Sequence, residues 1–128
     1  QSQQDWVLLR LAEVLLSFAE AENEINGPND AVHQAVNKIR TRAGLPNLPE
    51  SLSQIQMREA IRKERRIELA FEGLRYFDIK RWHIAAETLN NVTDGILQYR
   101  FEDRFYKWPL PQTEIDRSQG VLIQNPDY

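Results

Sequence analysis

The 128-residue chain contains no cysteine. That excludes disulfides, thiolate metal sites and cysteine nucleophiles together. It has no apolar run long enough to cross a bilayer as a helix, and neither a glycine-rich phosphate loop nor a low-complexity tract. Histidine is scarce: His33 and His83 stand alone, so no serine–histidine–acid arrangement can be assembled. Neither follows a glutamate by three residues, as di-iron helical bundles require. Both read as surface or capping groups. Excess positive charge is missing too. A net charge of −3 and a pI near 5.4 do not provide the concentrated basic surface that phosphate backbones demand. The start, Gln1-Ser2-Gln3-Gln4-Asp5, lacks both an initiator methionine and a charged-then-apolar export signal. It reads as a fragment or processed product whose targeting information lies elsewhere.

What is present is ordinary globular composition, 41% hydrophobic and 27% charged, with strong helical periodicity. Trp6, Leu9, Ala12, Leu16 and Ala19 form one apolar row, and Leu8, Leu11, Leu15, Phe18 and Ile25 a second. Two rows predict a helix over about 5–26 that is buried around much of its circumference. Asn26-Gly27-Pro28-Asn29 stops it. Asn29 or Asp30 then caps a second helix over 30–43, using Val32, Ala35, Val36, Ile39 and Ala43, and Gly44 with Pro46 closes it. So short a loop makes the two helices an antiparallel hairpin. Ser53 and Gln56 form a capping box for a third helix, 53–72, packed through Met57, Ala60, Ile61, Ile67, Ala70 and Phe71. Gly73 breaks or kinks it, and apolar residues continue to a fourth helix, 74–89. Residues 90–128 read as irregular. Tyr99, Phe101, Phe105 and Tyr106 could make a short extended pair there, Trp108-Pro109-Leu110-Pro111 should be extended, and Thr113 to Asp116 allows one turn. The fold class is therefore mainly α: antiparallel helical hairpins followed by a loop-rich C-terminal segment.

The stretch Arg58 to Arg81 concentrates eight of the chain's sixteen basic residues and five acidic ones. Glu64, Glu68 and Glu72 recur every fourth residue along one helical face, where Arg65, Arg75 and Arg81 could approach them or Asp78. A carboxylate metal site, an acid–base pair and a nucleic-acid stripe are each conceivable. The histidine spacing argues against the first. Carboxylates beside arginines stay ionised and make poor general acids, and interleaved glutamates neutralise the stripe. The stronger reading is structural: Glu64, Glu68, Glu72, Arg75, Asp78 and Arg81 form an ion-pair network fixing neighbouring helices. Of the aromatics, Trp6, Phe18, Phe71, Phe77 and Trp82 are expected in the core. Tyr99, Tyr106 and Trp108 lie outside helices, where a ring is freer to stack on a ligand, although packing is favoured there too.

Several blocks together resemble the C-terminal half of the SusD/RagB family. They are Arg10-Leu11-Ala12-Glu13-Val14-Leu15-Leu16 with Ala19-Glu20-Ala21, and Asn37 through Pro46. They continue with Glu64-Arg65-Arg66-Ile67-Glu68-Leu69-Ala70-Phe71-Glu72-Gly73-Leu74-Arg75, then Asp78 and Arg81-Trp82. The last are Trp108-Pro109-Leu110-Pro111, Glu114-Ile115 and Gln124-Asn125-Pro126-Asp127-Tyr128. Two departures are local. Asp116-Arg117-Ser118-Gln119-Gly120 stands where the family shows an asparagine-containing turn, and Asp127 replaces a common glycine.

The resemblance implies tetratricopeptide-like helical hairpins and no catalysis, cofactor or metal. It implies a surface-exposed outer-membrane lipoprotein of Bacteroidetes that binds glycans or other nutrients as a lid on a SusC-like TonB-dependent transporter. The lipid anchor would belong to an N-terminus absent from this chain. Sugar-contacting residues in the family lie earlier in the sequence, so none is carried over. The competing readings are a helical-repeat scaffold binding only protein partners and an accessory domain of a glycan-degrading enzyme.

Overall fold

The computed structural model describes residues 8–128. The chain forms two compact units, one ending at Arg75 and the other beginning at Tyr76. The first unit holds three helices, α1 (Leu11–Asn26), α2 (Asp30–Arg42) and α3 (Gln54–Glu68).

Local chemistry sets most of their boundaries. Gly27 adopts φ 76° and its N–H donates to the Asn23 carbonyl, ending α1. The Asn29 side chain accepts from the Val32 N–H at the start of α2. Ser53 and Gln56 make the reciprocal capping box of α3. At the end of α2, Gly44 donates to the Thr41 carbonyl and Leu45 to that of Arg40, a Schellman closure with glycine in the left-handed position.

The three helices share one core. Ala19, Val32, Ala35, Val36, Met57 and Ile61 pack together, and Leu16, Ile39 and Leu69 form a second cluster beside them. Asn23, fully buried, donates to the Gln54 carbonyl at 3.1 Å, while the Gln54 amide returns a bond to the Asn23 carbonyl at 2.6 Å. That exchange locks the register between the end of α1 and the start of α3. In the connector, Leu48 donates its N–H to the Asn37 side chain.

Three expectations need correcting. First, α1 begins at Leu11 rather than near residue 5. Residues 5–7, with Trp6, lie outside the described residues, and Arg10 is extended at the N-cap (φ −137°). The buried row of α1 is Leu16, Ala19 and Asn23; of the second row, Leu15 packs against both core clusters, whereas Leu11, Phe18 and Ile25 face outward. Second, α3 stops at Glu68, not Glu72. The chain turns through Phe71 (φ 66°) and Gly73 (φ 78°), which returns Leu69 and Leu74 to the Leu16–Ile39 cluster. The turn leaves Ile67, Ala70 and Phe71 exposed rather than packed.

Third, the expected helix 74–89 is two helices, α4 (Arg75–Arg81) and α5 (Ala85–Leu89). His83 takes the left-handed position (φ 54°) and donates to Lys80, while Ile84 donates to Ile79. This is the same Schellman geometry with histidine where glycine is usual.

In the second unit, Ile79, Ala85 and Phe101 form the core, with Ile84, Leu89, Phe105 and Tyr106 against it. The Asn90 side chain accepts from the Phe101 N–H at 2.5 Å and donates to its carbonyl at 3.1 Å. The extended pair is not at Tyr99–Tyr106. It is a two-residue antiparallel ladder, β1 (Thr93–Asp94) with β2 (Leu97–Gln98), around Gly95, and Asp103–Tyr106 is a 3-10 turn. After α6 (Gln112–Arg117) the tail has no regular structure but is firmly bonded. Gln124 exchanges two hydrogen bonds with the backbone of Leu110 (2.8 and 2.9 Å), Asn125 donates to the Trp108 carbonyl, and Tyr128 donates to those of Arg104 and Lys107. Asp127 holds φ 70°, a conformation aspartate tolerates better than most residues.

The two faces of α3 should respond differently to truncation. Ile61→Ala is expected to lower the unfolding free energy by about 2–5 kcal/mol through the cavity it leaves. Ile67→Ala, on an exposed side chain, should change it by less than about 0.5 kcal/mol. Urea titrations of the two variants of this chain measure both.

Candidate functional site

The block singled out in the sequence lies at the far end of α3, where three helix termini meet. Glu68 is the last residue of α3, and its side chain is 11% exposed. It accepts from Arg10 Nη1 at 2.7 Å and from Arg42 Nη2 at 2.6 and 2.7 Å. Arg10 precedes α1 and Arg42 ends α2. The Arg10 guanidinium also donates to the Glu68 carbonyl and forks onto Glu72, with contacts of 2.6 and 2.9 Å. Glu64, buried, accepts from Arg40 Nη1 at 2.8 Å, and Arg40 Nε donates to the Pro46 carbonyl.

These pairs join helices with cations that sequence reasoning did not assign. Arg10, Arg40 and Arg42 lie 24 to 62 residues from the glutamates they meet. Arg65, expected at the glutamate face, is buried instead against α1, 3.1 Å from Ser17 Oγ and 4.0 Å from Glu20. Arg75 is half-buried at the start of α4. Asp78 is buried in the second unit and accepts from Arg81 at 2.9–3.0 Å. At the other end of α1, Arg58 forks onto Glu24 at 2.5–2.6 Å. Taken together, Glu24–Arg58 and Arg10–Glu72 show α1 and α3 antiparallel.

The electrostatics follow from the pairing. The Arg10 guanidinium holds the Glu72 carboxyl below the usual glutamate range, and Arg58 does the same for Glu24. Amide donors from Asn26 and Asn29 lower Glu22. Both arginines are in turn raised by their glutamates. A general acid needs the opposite shift, so Glu72 is suited to holding charge rather than moving protons. Among the described residues no group of three or more histidine, aspartate and glutamate side chains could hold a metal ion.

Aromatic side chains in the second unit offer different chemistry. Tyr76 and Phe77 meet edge-on at 5.6 Å, Trp108 lies 6.3 Å from Tyr76, and Lys80 Nζ sits 5.1 Å from both the Tyr76 and Trp108 rings. Trp108 is 68% exposed. Phe77 and Phe71, expected in the core, are exposed, and so is about half of Phe18. Trp82 is half-buried, stacked under the Arg81 guanidinium at 4.8 Å. Tyr99 is exposed. The Tyr106 ring lies 4.5 Å from that of His83, and its hydroxyl accepts from the Ala85 N–H. Tyr106 and His83 line an open concavity of about 580 Å³ with Glu87, Arg104 and Asp127.

The SusD family profile matches residues 1–128. The chain belongs to the SusD family. SusD-like protein P2 of Formosa agariphila is 38% identical over 137 residues, covering the whole of this chain and 27% of that protein. A SusD homologue of Bacteroides thetaiotaomicron superposes with a TM-score of 0.80 at 36% identity, over 96% of this chain and 27% of its own. A SusD-like carbohydrate-binding protein of Bacteroides fragilis gives 0.69 at 33% identity, over 85% of this chain and 27% of its own. The chain thus spans about a quarter of the length of the relatives it matches. The helical architecture agrees with those solved structures.

Removing the shared carboxylate, Glu68→Ala, leaves Arg10 with Glu72 as its carboxylate partner and turns the exposed Arg42 to solvent, and should cost about 1–3 kcal/mol. Glu59→Ala, which breaks the exposed Glu59–Arg62 pair, should cost under about 0.5 kcal/mol; chemical denaturation of both variants checks the contrast. Because the Glu72 and Glu24 carboxyls are depressed in the folded chain, the unfolded chain takes up protons first. Stability should therefore be level above pH 4.5, the ordinary glutamate value, and fall as pH drops below it, read by thermal melts followed by circular dichroism.

Proposed function

We propose that the protein carrying these 128 residues binds a glycan or another nutrient at the cell surface, without catalysis, and delivers it to a SusC-like TonB-dependent transporter. Family membership over the whole chain carries this reading. The description of one relative as a carbohydrate-binding protein supports it for the ligand class. The setting that goes with it is the outer membrane, with an N-terminal lipid anchor outside this chain. Within the protein, this chain acts as a brace. Glu64, Glu68 and Glu72, with Arg10, Arg40 and Arg42, fix the helices of the first unit, while Asp78 pairs with Arg81 inside α4. The ligand is held by residues elsewhere in the polypeptide.

Two measurements test it. Calorimetric titration of the family-length protein against a broad oligosaccharide and peptide panel should give saturable binding, and the protein should co-purify with its transporter. Silence across the whole panel overturns nutrient binding. In the same protein Trp108→Ala should leave the dissociation constant of the identified ligand within about twofold, as expected for a residue outside the contact surface. A loss of binding would move the ligand site into this chain.

A further inference from the structure

The turn between α1 and α2 carries a reactive pair. Of the chain's eight asparagines only Asn26 is followed by glycine, and Asn26 is the exposed last residue of α1. Gly27 holds φ 76° and ψ −173°, a region essentially closed to any residue with a side chain, so the turn demands glycine there. The same lack of a Cβ leaves the Gly27 nitrogen unshielded, and nothing lies within 4 Å of where a Cβ would stand. Asparagine is thermally labile, and an unshielded backbone nitrogen just after it is what its decay requires.

The end of α1 holds the pair inert. The Gly27 N–H donates to the Asn23 carbonyl at 3.0 Å, which commits that nitrogen to the helix. The same carbonyl accepts from the Gln54 side chain of α3 at 2.6 Å, and Gln54 also reaches the Glu24 carbonyl at 3.2 Å. The latter is one of the carbonyls that a helix end leaves without a partner. Through Gln54, then, α3 keeps the last turn of α1 closed. The Asn26 side chain donates to Glu22 Oε1 at 2.8 Å, and Asn29, which caps α2, donates to the same oxygen at 2.7 Å.

We propose that Asn26 is a deamidation site gated by opening of the last turn of α1. Once that turn frays, the Gly27 nitrogen attacks Asn26 Cγ and passes its proton, through water, to Nδ2. The new N–Cγ bond closes a succinimide, the Cγ–Nδ2 bond breaks, and ammonia leaves. Water then adds to either ring carbonyl, giving aspartate or isoaspartate. Either product replaces the donor beside Glu22 with a second carboxylate four residues on, a repulsive spacing. It does so at the helix end where negative charge is least favourable. Isoaspartate also lengthens the backbone just ahead of Pro28 and the Asn29 cap. The modification therefore loosens the link between α1 and α2, whatever the protein binds.

Peptide mapping by mass spectrometry tests it on the family-length protein, held folded at mildly alkaline pH. Asn26 should convert faster than Asn37 and Asn47 of the same chain, yet at least about tenfold more slowly than in the denatured protein. Gln54→Ala, which removes two bonds from the last turn, should speed conversion about two- to tenfold. If that variant does not fold, hydrogen exchange of the Gly27 amide in the unaltered protein takes its place. Its protection should match the denatured-to-native rate ratio to within about tenfold, since both processes need the same opening. Conversion at Asn26 no faster than at Asn37 overturns the proposal. Equal rates in folded and denatured protein, a rate indifferent to Gln54→Ala, or protection that fails to match each overturn the gate.

Discussion

Glu68 held between two guanidiniums is the contact on which the first unit depends. A carboxylate this enclosed is strongly unfavourable unless it is paired and hydrogen-bonded. Arg10 and Arg42 meet that requirement together, both donating to Glu68 Oε1. Because Arg10 lies just before α1, Arg42 ends α2 and Glu68 ends α3, the pairing draws three helix termini to one point. The C-terminal ends of α2 and α3 carry the negative end of the helix dipole, and arginines in their last turns are favourable there. Arg10 adds a bond to the Glu68 carbonyl, which the helix itself leaves without a partner. Asn23 and Gln54 do the corresponding work at the other end of the α1–α3 pair with neutral groups. Between these two clamps the apolar core has one register in which it can close.

Where the sequence was legible, the reason was local chemistry. Asn29, Gly27 and the Ser53–Gln56 box act within four residues of themselves, and α2 and the start of α3 fall where they point. The glutamates at every fourth position were visible, but their partners were not. Nothing in the spacing of Glu64, Glu68 and Glu72 points to arginines that reach them only after the chain has folded back twice. Glu72 also lies beyond the helix, so the single face drawn from spacing does not exist. The breaks at Phe71 and His83 were hidden for a different reason. Both residues hold left-handed backbone that glycine would advertise, and periodicity ran through them unchanged. In α1, periodicity showed two apolar rows but could not say that Leu11, Phe18 and Ile25 of the second would stand exposed.

The C-terminal segment shows how order can exist without regular elements. Gln124, Asn125 and Tyr128 bond to the backbone around Trp108-Pro109-Leu110-Pro111. Proline has no N–H to offer a ladder, so side-chain amides and a phenol supply the bonds instead. These residue types look like loop formers in a sequence, yet here they are the scaffold. The same segment leaves Trp108 largely outside, beside Tyr76 and Lys80.

The Arg10 clasp can also be seen as a cross-link. It joins positions 62 residues apart in a chain with no cysteine, and so closes a loop of the kind a disulfide would close. Tying distant positions together removes freedom that the open chain would keep. Unlike a covalent bridge, this one needs no oxidant to form, survives reduction, and can open and re-form without side reactions. Its sensitivity moves from redox potential to ionic strength: counterions screen exposed charges over about 8 Å at physiological salt and about 3 Å at 1 M. Brine, and not reductant, is the reagent that would loosen this clasp.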